Sequence, residues 1–322
     1  TFKLASILFI FLSVFISCSK NDHKKKTKNQ EKENQKIKKN NQFVSDLSEK
    51  KDGNTLIFGV TPVDKKENMM KKFKPFLDYI SEQIGKKIKF TISITYDRLA
   101  KDVNEGLVDF GSFSPGAYVK AIDSFPKIKY LCTILDTGTK KDFYLGYIFT
   151  RKDSKIKNYK GLKNKYFAFV DEGSSSGFKY PAVIMLNQWK IDPKKFFKKT
   201  LFLGNHPNVI DAVYQKKAHA GATWNGAMDD KIKEYKENPF RILARTKPIP
   251  GDGFAASPNM NQELFKKLQK TILSINSNTK TKDGRLVLTK DFYFAGFTLR
   301  NNSFYNVIRE TVKTLNRWKK KK

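Results

Sequence analysis

Three consecutive serines, Ser174, Ser175 and Ser176, stand between Gly173 and Gly177 in the stretch AFVDEGSSSGFKYP. A serine hydroxyl attacks an electrophile when a base takes its proton; otherwise it donates and accepts hydrogen bonds. The five residues fit the pattern G-x-S-x-G, and the flanking apolar patterns predict a strand before the turn and a helix after it, the setting of a nucleophile elbow. A hydrolase of that kind also needs an acid and then a histidine further along the chain. The downstream histidines are His206 and His219, both within about 45 residues of the turn. Asp211 and His219 fall on a predicted helix and the strand after it, with nothing to bring them to a serine.

The second chemistry is binding. A helix start presents N–H groups that lack intrahelical partners, at the positive end of the macrodipole. Hydroxyls beside those amides add donors, and flanking glycines let the backbone approach closely. Such a turn suits a tetrahedral oxyanion. Simple capping by one serine, with the others solvated, explains the same residues equally well.

Alternating strands and helices position this turn. TLIFGVTPV reads as a strand, and Met69, Met70, Phe73, Leu77, Ile80 and Ile84 then recur at helical spacing up to Gly85. KIKFTISI is a strand, Tyr96 to Gly106 a short helix, and LVDFGSF a strand, with Pro115 opening the next helix. IKYLCTIL and FYLGYIFTR are further strands. A second block repeats the rhythm: KYFAFVD, a helix from about Ser176 to Trp189, TLFLG, the helix NVIDAVYQKK, AHAGATW, a charged helix, and RILARTKPIP. Helices near Leu264–Ile275 and Phe304–Trp318 close the chain. This order predicts an α/β fold of two lobes, each a mostly parallel sheet flanked by helices. The chain crosses near Phe143–Arg151 and returns near Ile242–Pro250. The expected division is residues 54–145 with 248–322 as a discontinuous first lobe, and 146–247 as the second.

The chain has 322 residues, a formal net charge of +32 and an apolar fraction of 39 %, with 27 Phe and 13 Tyr to build cores. The excess charge is nearly all lysine, spread along the chain, whereas base and phosphate readout favours arginine. Nucleic acid is therefore not an expected partner. At the N-terminus an apolar run from Leu4 to Ile16 follows Lys3 and stops just before Ser17 and Cys18. It falls short of the roughly 20 residues of a membrane span and fits a secretory signal. A small residue followed by Cys18 resembles a bacterial lipobox, so residues 1–17 read as a signal peptide and Cys18 as the lipid attachment point. Residues 18–53, rich in Lys, Asn and Gln, read as a flexible tether. Cys132, in an apolar run, has no partner for a disulfide framework, and no Cys/His spacing fits a metal site.

Several stretches together resemble the phosphate, phosphite and phosphonate-binding (PhnD-like) periplasmic proteins of ABC transporters. They are FGVTPVDKKENMMKKFKPFLDYISEQIGKKI, YDRLAKDVNEGLVDFGSFSPGAYVKA, DEGSSSGFKYP, GNHPNVIDAVYQKKAHAGAT and IPGD, in order over Thr55 to about Leu273. The resemblance implies a two-lobed periplasmic-binding-protein fold hinged on two crossing segments, with no cofactor and no catalysis. It implies that Ser174, Ser175, Ser176 and Gly177 hold phosphoryl oxygens, and that Tyr96 donates from the first lobe. His206 would bond an oxygen or brace the serines. Asp252 would accept from a P–OH or an amino group, and Phe113 and Ser114 would complete the pocket. Some relatives carry Tyr where Phe113 stands. Binders of aminoalkylphosphonates carry an acid in the region held here by Asn225 and Gly226, which favours a smaller ligand, with Trp224 either a roof over the pocket or a buried core residue. The expectation is a monomeric, lipid-anchored solute-binding protein of the cell envelope that hands a small phosphorus oxyanion to an ABC permease. A lipoprotein serine hydrolase using the GSSSG turn is the alternative.

Overall fold

The structure, a computed structural model, describes residues 53–320. The expected signal peptide, Cys18 and nearly all of the tether lie outside the described residues.

The first sheet begins with β1 (Thr55–Val60), β2 (Lys87–Ile92), β3 (Phe110–Phe113) and β4 (Lys129–Asp136). These are joined by helices α1 (Lys66–Ile84), α2 (Arg98–Asn104) and α3 (Pro115–Ser124). The chain then passes through β5 (Phe143–Tyr144) into the second sheet. That sheet contains β6 (Gly146–Arg151), β7 (Tyr166–Phe169), β8 (Lys199–Phe202), β9 (Ala220–Trp224) and β10 (Phe240–Arg245). Its helices are α4 (Tyr180–Asn187), α5 (Pro193–Phe196), α6 (His206–Tyr214) and α7 (Asn225–Tyr235). The return runs through β11 (Ile249–Pro250) to β12 (Gly253–Ala256), α8 (Gln262–Ser274), β13 (Phe294–Thr298) and α9 (Asn306–Lys320). The strand orders are β13-β4-β12-β3-β1-β2 and β10-β6-β9-β7-β8.

Both sheets are mixed. In the first, β1 to β4 run the same way, while β12 lies between β3 and β4, antiparallel to each. In the second, β6 runs antiparallel to both β9 and β10. The interior strand that breaks the parallel run is, in each sheet, the one that has just arrived from the other lobe. Between the sheets, β5 and β11 pair antiparallel, Tyr144 opposite Ile249 and Phe143 opposite Pro250. The two crossing segments thus lie side by side.

Helix α1 buries Met69, Phe73, Phe76, Leu77, Ile80 and Ile84 against the first sheet. Met70 is 49 % exposed, because one residue beyond Met69 is a step of about 100° off that stripe. Phe58 sits at the centre of the first core, with the Phe73, Phe110 and Phe254 rings within 4.9–5.8 Å. The second core gathers Ile148, Phe167, Phe169, Phe178 and Met185. Helix α9 packs on both α3 and α4 and sends Leu315 into this second core. Strands β12 and β13 lack a clear sequence signal: GFAA has no β-branched residue, and its two neighbours impose its extended state.

Candidate functional site

The turn after β7 is built from its own polar groups. The Asp171 carboxylate accepts from the Gly173 N–H at 2.7 Å, and its carbonyl accepts from the Ser174 N–H at 3.0 Å. Ser174, in extended conformation, caps the helical turn beyond it: its Oγ accepts from the Gly177 N–H at 3.0 Å. The sequence predicts an α-helix from about Ser176. Instead Ser175–Lys179 form a π-helical turn, with the Lys179 N–H on the Ser174 carbonyl at 3.0 Å, before α4 begins. The wider turn brings Gly177 against the end of β7, where a Cβ would lie 2.4 Å from a Val170 methyl. The amides of Ser175 and Ser176 open this turn, with no carbonyl one turn back to receive them.

The turn forms one wall of a cavity of about 50 Å³. On that measure each water needs roughly 10–15 Å³, so the space suits a few heavy atoms. Ser174, Ser176, His206 and Trp224 line it from the second lobe, and Tyr144 from the crossing strand. Thr61, Tyr96, Ser114, Asp136 and Asp252 face them from the first lobe. Val60, Met69, Phe73, Ile134 and Phe294 supply apolar surface. Neither lysine nor arginine is among the described lining residues.

Two hydroxyls in this wall, those of Tyr96 and Ser114, are buried without a hydrogen-bond partner among the described residues. A buried donor left unpaired costs about 1–3 kcal/mol, so both demand an acceptor inside the cavity. Burial, and secondarily the nearby Asp171 charge, raises the Tyr96 hydroxyl far above its usual range, so it is a donor at any working pH. Burial likewise lifts Tyr144.

The two carboxyls differ. Asp136 is raised by burial, but the Thr139 and Gly138 amides donate to its Oδ1 at 2.8 and 3.1 Å and hold it back. Asp252 has no such donors; burial, and then the Asp136 charge, push it up to about 8. At neutral pH Asp252 therefore keeps its proton. His206 sits at the start of α6, with Nδ1 2.9 Å from the Thr223 hydroxyl, and burial brings it down to about 3. The ring is neutral. The cavity thus offers hydroxyl and amide donors, a neutral imidazole, and carboxyls that carry a proton or face the ligand as acceptors.

The structure brings Ser174, Ser176, Tyr96, Ser114, His206 and Asp252 together. Three expected residues stand outside the wall. Phe113 is fully buried on the opposite face of β3, because Ser112 and Ser114 on either side of it point to the cavity. Gly177 spends its N–H on Ser174. The Ser175 hydroxyl accepts from the Gly116 N–H at 2.9 Å. His206 braces Thr223 rather than the serines. Asn225 accepts from the Leu145 N–H at 3.0 Å and so ties the crossing strand to α7. The roof expected of Trp224 is its ring, edge-on to Tyr144 at 6.1 Å. Asp136 and Tyr144 are absent from the residues the sequence points to. Asp136 is legible as an acid ending the apolar strand KYLCTILD, and Tyr144 as a polar-tipped aromatic in a crossing segment.

Nucleophilic catalysis does not fit this geometry. The His219 Nδ1 accepts from the Tyr166 backbone N–H at 3.2 Å, and Asp211 is engaged by Lys231 at 2.7 Å and by Tyr235. No described serine hydroxyl of the turn is hydrogen-bonded to a histidine.

Comparison with known proteins gives a consistent family. Residues 58–305 match the family described as ABC transporter, phosphonate, periplasmic substrate-binding protein. The phosphate-import protein PhnD of Mycolicibacterium smegmatis is 24 % identical over 236 residues, covering 70 % of this chain and 73 % of that protein. Two solved structures share the fold. A binding component of an ABC phosphonate transporter from Pseudomonas aeruginosa aligns with a TM-score of 0.72 at 22 % identity, over 80 % of this chain and 85 % of the other. PhnD1 of Prochlorococcus marinus in complex with methylphosphonate aligns with a TM-score of 0.71 at 23 % identity, over 82 % and 98 %. These are binding components of transporters, not hydrolases.

Proposed function

We propose a cargo and a mode of capture from one premise: this chain belongs to the periplasmic substrate-binding proteins of phosphonate ABC transporters. It works outside the cytoplasm, binds without transforming, and delivers to a permease. The cargo is a small phosphorus oxyanion, namely phosphate, phosphite or methylphosphonate in a singly ionised form. The Ser174 and Ser176 hydroxyls, with the Ser175 and Ser176 amides, hold phosphoryl oxygens from the second lobe. Tyr96 and Ser114 donate from the first. Asp252 meets the remaining P–OH or P–O⁻, so that one proton lies between ligand and carboxyl.

The observation that carries this reading is the pair of buried, unpartnered hydroxyls, Tyr96 and Ser114, lining one small cavity with the serine turn. A relative that imports phosphate and a structural neighbour holding methylphosphonate support the ligand class. Charge-assisted hydrogen bonds of roughly 1.5–3 kcal/mol each, four or five in number, suffice for the about −8 kcal/mol of micromolar binding. Lobe closure about β5 and β11, a lipid on Cys18 with residues 18–53 as tether, and a monomeric state complete the reading.

Isothermal titration with phosphate, phosphite, methylphosphonate and sulfate tests it. At least one phosphorus anion binds at micromolar concentration, and above about pH 8, where Asp252 has lost its proton, sulfate, with no proton to share, binds far more weakly than phosphate. Silence from all three phosphorus anions, or equal binding of sulfate and phosphate above about pH 8, refutes it.

A further inference from the structure

The middle serine of the turn lies outside the cavity wall, and its surroundings give it a different task. Ser175 Oγ accepts from the backbone N–H of Gly116, which lies in the first turn of α3, at 2.9 Å. Ser175 is on the second lobe and Gly116 on the first, and both are buried. The lobes meet here with no slack. A Cβ on Gly116 would stand 2.9 Å from the Lys179 Nζ and 3.0 Å from Ser175 Oγ. A Cβ on Gly173 would stand 2.3 Å from the Cβ of Tyr96, a second backbone-to-lobe contact at the same turn. Lys179 braces the arrangement from behind, its ammonium donating to the carbonyls of Glu172, at 2.9 Å, and of Gly173.

We propose that the Ser175 hydroxyl and the Gly116 N–H form a latch that exists only when the lobes are closed, so that this hydroxyl positions the lobes and does not itself contact the ligand. This rests on the binding reading above. The physical basis is the fate of the Gly116 N–H. As an amide of a helix's first turn it has no intrahelical acceptor. With the lobes apart, water serves it. With the lobes closed, water is excluded and Ser175 Oγ takes its place. Removing that oxygen leaves a buried donor unsatisfied in the closed form and costs the open form nothing. A ligand-contacting serine discriminates among anions, whereas a latch weakens them all by one factor, because it acts on the closure equilibrium that every bound form shares.

The test titrates phosphate, phosphite and methylphosphonate into the wild type, Ser175→Ala, Ser176→Ala and Gly116→Ala, with melting temperatures to verify folding. Small-angle X-ray scattering follows closure with and without anion. Ser175→Ala weakens every anion that binds the wild type by a common factor of ~10-fold, leaves their ratios within about two-fold, and raises the radius of gyration at sub-saturating anion. Gly116→Ala, whose methyl wedges the lobes apart, does the same more strongly. Ser176→Ala changes the ratios. Wild-type affinity in Ser175→Ala, or a loss that differs from anion to anion, overturns the latch. Silence of the wild type towards all three anions sinks the binding reading. The latch, which acts through closure on a bound anion, falls with it.

Discussion

The two walls of the cavity solve the same problem with different materials. The second-lobe wall is chiefly one chain segment, the turn that presents Ser174 and Ser176, set by a cap and a π-helical turn. The first-lobe wall is an assembly of side chains from distant places, Tyr96, Ser114, Asp136 and Asp252, each at or near the end of a strand or helix. The first kind of wall is rigid and made of donors. The second depends on tertiary packing, and it alone carries carboxyls whose proton can be gained or lost. On the proposed reading, recognition of shape and charge is concentrated on one side, and recognition of protonation on the other.

The harshest way to break this contrast is to strip the donor wall. Ser174→Ala with Ser176→Ala weakens the binding of phosphate or methylphosphonate by at least ~100-fold in isothermal titration, since two charge-assisted bonds are lost. The melting temperature falls modestly through loss of the Ser174 cap, worth about 1 kcal/mol. Stripping the facing wall of one hydroxyl is gentler. Tyr96→Phe loses ~10-fold in affinity, while the unliganded protein melts at nearly the same temperature, because that buried hydroxyl makes no well-formed hydrogen bond and feels only a weak pull from the Ser174 hydroxyl.

Protonation sharpens the contrast further. Asp252, raised from 3.8 to about 8, binds a proton in the folded state that the unfolded chain has released, so unliganded stability falls as pH rises from about 4 to 8. His206, lowered from 6.5 to about 3, is neutral when folded and charged when unfolded below its ordinary range; it makes stability fall as pH drops from about 6.5 to 3. Melting curves of Asp252→Asn lose the first slope, and those of His206→Gln lose the second. A pH profile unchanged in both variants contradicts the assignment of these groups. The smallest expected effect is at the roof: Trp224→Phe, which keeps an aromatic edge near Tyr144, costs a few-fold in affinity by the same titration.

The legibility of each wall in the sequence depends on how it is made. The serine turn is readable because its function is local: hydroxyls, glycines and a helix start within a few residues. The alternating elements and the two crossings are readable for the same reason, since period and connection length are local signals. The side-chain wall is legible only through resemblance, and incompletely. Asp136 and Tyr144 come into the cavity through sheet register and the pairing of β5 with β11, which no short window contains. Phe113 is misplaced by a single residue on β3, where neighbours point to opposite faces. The use of Ser175 is invisible for a related reason: its partner lies 59 residues away on another lobe, and backbone amides leave no mark in a sequence.

The short β5–β11 ribbon has a mechanical consequence. Tyr144 is one of its residues, and Asp252 lies two positions beyond its last residue. If the lobes swing about this ribbon, as proposed above, the axle carries one residue of the cavity lining and ends two residues short of another. Bending it then displaces an aromatic ring and a carboxyl together, so that the torque that parts the jaws also loosens the grip on whatever they hold.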